Sequence, residues 1–209
     1  MNLNSRTLIL LAALVPVLSG CFGAAAVGVG AGALAFADRR ATEVQVTDEG
    51  IELRSGNRIS EKYGSNTHVN VTSYNRTVLL TGEVPDTAAK AGIEKIVAEV
   101  PNVKAISNEL LVAGTSTLTA RSNDTYITSK VKARFIDANK FAANHVKVVT
   151  EAGVVYLMGL VTQTEANDAV EIARTTGGVQ KVVRVFEIIG ADEARRLSPQ
   201  PAAAPAPKQ

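Results

Sequence analysis

His68-Val69-Asn70-Val71 returns as His145-Val146-Lys147-Val148, seventy-seven positions later, and the rest of the fold can be read outward from that pair. At the same spacing Val78, Leu80, Gly82 and Val84 fall on Val155, Leu157, Gly159 and Val161. Upstream, Asp48, Ile51 and Ile59 match Asp124, Ile127 and Phe135 at a spacing of seventy-six. Downstream, Val103, Ile106 and Leu110 match Val179, Val182 and Phe186 at that spacing too. Self-similarity at a fixed period marks a duplicated unit, here about 65–70 residues long.

Each copy reads in one order. A first helix is expected to start near Asp48 or Asp124, acids suited to an N-cap. Alternating strands follow at 69–73 and 77–82, and at 146–150 and 154–159, with turns at Asn75-Arg76 and Ala152-Gly153. A second helix carries Ala89, Ile93, Ile96 and Val100 and is stopped by Pro101. Its counterpart opens on Thr162-Gln163-Thr164-Glu165, a capping box, and ends at Gly177-Gly178. The last strand covers 104–112 or 181–189. The order αββαβ predicts an α+β fold of two tandem domains, 46–114 and 122–190, each a three-stranded sheet covered by two helices. Units this small have thin cores, so the two copies are expected to pack on each other.

The ends read differently. Met1–Arg6 is followed by the apolar run Thr7–Leu18 and then Leu18-Ser19-Gly20-Cys21, which predicts a signal peptide over 1–20. The ending looks like the lipobox of bacterial lipoproteins, which implies that Cys21 is the acylated lipid anchor. Phe22 stands where an inner-membrane retention signal would place Asp, implying the periplasmic face of the outer membrane. Residues 21–45 read as a small-residue linker, and 191–209 as a disordered Pro/Ala tail.

Composition narrows the function. The 209 residues are 46% hydrophobic and 20% charged, which is globular, and a net charge of +2 gives no nucleic-acid footprint. One cysteine excludes a disulfide framework and a multi-cysteine zinc site. His68 and His145 occupy equivalent places before a strand and read as duplicated structural residues, with no Cys, His or carboxylate cluster accompanying either one. Glu94 and Glu171 read as exposed helix residues. No enzyme, metal or cofactor is expected.

On a helix over 124–137, Ile127, Val131 and Phe135 form the core stripe. Tyr126, Ser129, Ala133 and Ile136 fall on another face, flanked by Lys130 and Lys132, with Arg134 close by. Such a face fits either a membrane surface or the contact between the repeats. Gly50 and Ser60, the repeat 1 counterparts of Tyr126 and Ile136, supply no apolar bulk.

Ser122-Asn123-Asp124-Thr125-Tyr126-Ile127-Thr128-Ser129-Lys130-Val131 and Val154-Val155-Tyr156-Leu157-Met158-Gly159-Leu160-Val161-Thr162, set in two αββαβ repeats behind a lipobox, resemble the BON-domain family and its outer-membrane lipoproteins with two such domains. The resemblance implies a non-enzymatic lipoprotein whose second domain binds anionic phospholipid and supports envelope integrity at division sites. It implies lipid contact through Tyr126, Ser129, Lys130, Lys132, Ala133 and Ile136. Tyr126 stands where such relatives carry Trp, and repeat 1 departs with Ser55-Gly56 inside its first helix. A different expectation is a scaffold for envelope protein partners, acting on cell-wall remodelling or outer-membrane assembly factors without touching lipid.

Overall fold

The computed structural model describes residues 38–198; the expected signal peptide, Cys21, most of the expected linker and residues 199–209 lie outside that range. Repeat 1 comprises α1 (Thr42–Tyr63), β1 (His68–Tyr74), β2 (Thr77–Val84), α2 (Thr87–Ala98), β3 (Ala105–Asn108) and β4 (Leu111–Val112). Repeat 2 comprises α3 (Leu118–Ala138), β5 (Lys147–Glu151), β6 (Val154–Val161), α4 (Gln163–Arg174) and β7 (Lys181–Ile188). In both, a hairpin pairs antiparallel and the last strand returns parallel to the middle one. The expected last strand of repeat 1 is split in two because Leu110 turns into the core, and both halves pair with β2.

The middle strands explain the architecture. Val78 and Leu80 in β2 face one side, into a core with Ile51 and Ile59 from α1 and Ile93 and Val97 from α2. Val155, Leu157 and Val161 in β6 do the same against Ile127, Val131 and Phe135 of α3 and Ala169 and Ala173 of α4. The intervening residues are buried as well. Leu79 joins Tyr156, Met158 and Leu160 in a third cluster, with Tyr74, Ile189 and Ala194. Strands covered on both faces read as unbroken apolar runs, which is why VVYLMGLV shows no alternation. The two sheets therefore meet through their helix-free faces, and the expected packing of one copy on the other is present. Asn70 donates to Glu151 across the junction at 2.8 Å, Asn75 to Glu187 at 2.8 Å, and Lys147 to Glu52 at 3.1 Å.

Asp48 and Asp124 are not N-caps. Both first helices start six residues earlier, at Thr42 and Leu118, and the N-cap of α3 is Thr117, whose hydroxyl accepts from Ala120 N–H. The acids instead sit on the core stripe, in register with Ile51, Ser55 and Ile59 or with Ile127, Val131 and Phe135. From there each reaches the turn of its own hairpin. Asp48 accepts from the backbone N–H of Asn75 and Arg76 at 2.8 and 2.7 Å and from the Ser73 hydroxyl at 2.6 Å. Asp124 accepts from Ala152 and Gly153 N–H at 2.9 and 2.8 Å. Asn75, Arg76, Ala152 and Gly153 all have positive φ, the conformation of a two-residue hairpin turn matching strand twist.

The expected Pro/Ala tail is corrected over its first part. Ala191–Leu197 forms a short helix, α5, with Asp192 and Glu193 in its first turn and Arg195 and Arg196 in its last, a charge order that complements the helix dipole. Ala194 is buried in the inter-sheet cluster, so this segment caps the junction.

The entering chain is pinned at the same junction. The Arg39 guanidinium forks onto both oxygens of Glu165 at 2.8 Å and donates to the Leu160 carbonyl at 2.8 Å. Glu165 also completes the expected capping box of α4, accepting from Thr162 N–H. Burial pulls its carboxyl upward, but the hydrogen bonds from Arg39 and Thr162 outweigh that and hold it at about 2. A carboxyl depressed in the folded state stabilises above its unfolded value, and the contribution is lost as pH falls toward the folded one. Melting temperature should therefore drop between about pH 4.5 and pH 2. The part of that drop due to this pair should vanish in Glu165→Gln when the two chains are melted side by side.

Candidate functional site

The outward face of α3 carries every residue expected to touch lipid. Tyr126 and Ile136 are 62% and 64% exposed, and Ser129, Lys132 and Ala133 are exposed beside them. These side chains are not spent on the contact between the repeats, which is made by the sheets instead. The earlier start of the helix adds Leu118, 80% exposed, eighteen residues before Ile136 and so in angular register with it. Expecting the helix to begin at Asp124 hid Leu118 from the sequence reading.

The cations are arranged less simply. Lys130 is half-buried; its ammonium lies 4.6 Å above the Tyr126 ring and donates to the Gly177 carbonyl. Arg134 donates to the Ile172 carbonyl at 2.9 Å and to the hydroxyls of Thr175 and Thr176 at 3.0 and 2.9 Å. Both therefore serve the C-terminal end of α4, where helical carbonyls lack partners. Among the described residues Lys132 alone of the three makes no side-chain hydrogen bond or ion pair, so the basic character of the face rests chiefly on it and on the shielded Lys130.

Repeat 1 differs from the expectation of a bare counterpart. Gly50 and Ser60 do lack bulk, yet Val46 and Leu53 on the same helix are 64% and 65% exposed. Leu53 corresponds to Ser129, so the two repeats place their exposed apolar groups at different positions of equivalent helices.

The two histidines have separated in environment. His145 is buried, its Nδ1 has no hydrogen-bond partner among the described residues, and Glu165 lies 3.8 Å away. Burial, reinforced by Arg39, holds its pKa below the ordinary range. His68 instead has Nδ1 3.0 Å from Glu83 Oε2, with Glu151 beside them. Burial pushes the Glu151 carboxyl up against the opposing hydrogen bond from Asn70. The expectation that no ligand cluster accompanies His68 is thus corrected: its carboxylates lie fifteen and eighty-three positions away in sequence and meet it only through β-pairing and the junction.

Two consecutive αββαβ units, joined sheet to sheet, with an exposed mixed face on the first helix of the second, define a tandem small-domain α+β architecture. The chain belongs to the BON-domain family: residues 47–114 and 123–190 each match the BON domain. It is 35% identical over 174 residues to outer membrane lipoprotein DolP of Haemophilus influenzae, covering 82% of this chain and 90% of that one. It is 32% identical to a 21 kDa hemolysin of Actinobacillus pleuropneumoniae, over 73% of this chain and 79% of the relative. Osmotically-inducible protein Y of Escherichia coli K12 matches at 32% over 56% of this chain and 59% of its own. The dual-BON arrangement of the DolP type thus spans nearly the whole of the described structure. No helix among the described residues is long and apolar enough to cross a membrane.

Proposed function

We propose that this is a non-enzymatic envelope lipoprotein, anchored through Cys21 at the periplasmic face of the outer membrane. Its second BON domain rests on anionic phospholipid through α3 and supports envelope integrity at division sites. The observation that carries the reading is the exposure of Tyr126 and Ile136 on a helix whose opposite stripe is sealed in the core. Tyr126, Ser129, Ala133 and Ile136 supply the apolar and small-residue contact, and Leu118 extends it. Lys132 supplies charge, and Lys130, stacked on Tyr126, orients the ring while remaining near the surface. A basic side chain near an anionic bilayer contributes about 1 kcal/mol, so this face selects position along a membrane while acyl chains on Cys21 supply attachment.

A direct test uses residues 38–198 and phosphatidylglycerol vesicles. The second domain is not tested alone, because removing repeat 1 would uncover Tyr156 and Met158. Tyr126→Ala with Ile136→Ser should weaken binding by about tenfold or more, as roughly 1.4 kcal/mol per decade is less than the apolar area of two such side chains supplies. Val46→Ser with Leu53→Ser should leave it unchanged. Undiminished binding by the first pair would remove α3 from the lipid contact.

A scaffold reading is favoured by Val46 and Leu53, which give repeat 1 an exposed apolar pair of its own, and by the diversion of Arg134 away from the surface. It predicts no vesicle binding by residues 38–198 and crosslinking of an envelope protein to α1.

A further inference from the structure

Glu83 on β2 and Glu151 on β5 are 4% and 5% exposed, and His68 on β1 is partly buried beside them. One donor atom from each of the three lies within 4.8 Å of the others. Each carboxylate uses only Oε2 in hydrogen bonds. That of Glu83 faces His68 Nδ1 and accepts from Ser116 N–H at 3.1 Å, and that of Glu151 accepts from Asn70. Neither Oε1 has a hydrogen bond among the described residues. A cleft of about 360 Å³, lined by His68, Glu151, Asp124 and Arg121 among others, adjoins the group.

We propose that His68, Glu83 and Glu151 form a divalent metal site of the zinc type that clasps repeat 1 to repeat 2. An imidazole nitrogen with two carboxylate oxygens is a donor set that suits Zn²⁺, and three protein ligands leave a fourth position for water from the cleft. Bonds of about 2.0–2.2 Å place tetrahedral donors roughly 3.3 Å apart. The His68–Glu83 pair is already at 3.0 Å. Glu151 completes the set by a side-chain movement toward the pair. Two ligands come from repeat 1 and one from repeat 2, so the ion bridges the junction and favours the packed state by mass action.

The test uses the full chain in detergent after treatment with a chelator. Calorimetry with Zn²⁺ should show one equivalent bound, and melting temperature should rise by a few degrees at saturating metal. Co²⁺ should give the visible absorption of a four-coordinate site. Glu151→Gln and His68→Gln should each weaken binding at least tenfold and abolish the thermal shift. Melting the metal-free variants beside the metal-free parent separates lost ligation from lost folding, since only ligation makes the melt depend on added Zn²⁺. Absence of uptake by the unmodified chain, or uptake and thermal shift equal in both variants, would overturn the proposal.

Discussion

Gly82→Ala is expected to destabilise residues 38–198 by about 3 kcal/mol or more, enough to displace the whole urea transition. A Cβ at this position would stand 2.0 Å from the His68 carbonyl oxygen and 2.9 Å from its carbon, atoms of the paired strand that cannot rotate away. Gly82 also has φ of +111°, a conformation that L side chains rarely adopt. Close approach and backbone conformation thus act together. Gly159, its repeat 2 counterpart, meets only the first penalty, a Cβ 2.4 Å from the His145 carbonyl, so Gly159→Ala should cost less than Gly82→Ala. Gly114→Ala, with nothing within 4 Å of the added carbon, should be nearly neutral. If all three transitions coincide, the hairpins do not require their glycines.

These glycines were visible in the sequence as a repeated pair, and so were both hairpins, the α4 capping box and the stripe Ile127, Val131, Phe135. Local pattern sufficed there because each depends on neighbours a few residues away. What stayed hidden depends on distant partners. Asp at a helix N-cap and Asp on a core stripe look alike until its spacing to Ile51 and Ser55 is weighed, and that spacing was the available signal. The charge order of α5, acids first and arginines last, was likewise readable within the segment taken for a tail. The diversion of Lys130 and Arg134 was not readable, since it follows from where α4 ends relative to α3. His68 meets Glu151 only once two sheets have packed.

Asp48→Ala should destabilise by about 3–5 kcal/mol, the range for removing one partner of a buried charge cluster. Its carboxylate is 2% exposed and answers four donors: Asn75 N–H, Arg76 N–H, the Ser73 hydroxyl and Arg40, the last at 2.7 Å. Its removal strands two turn N–H groups that β-pairing does not use, and a donor left without a partner costs at most about 1–3 kcal/mol, the lower end applying to the exposed Arg76. It also leaves the Arg40 guanidinium over the Tyr74 ring with Asp38 as its remaining carboxylate partner. Asp124→Ala removes only two backbone partners, so about 2–3 kcal/mol is expected there. Asp48→Asn should fall between parent and alanine, since one amide oxygen can keep a turn N–H while its NH₂ opposes the other donors. Urea unfolding of the three variants measures the order. A loss below about 1 kcal/mol in Asp48→Ala would mean that water replaces the carboxylate at the turn, and that the helix–hairpin clasp shared by both repeats is not what fixes their fold.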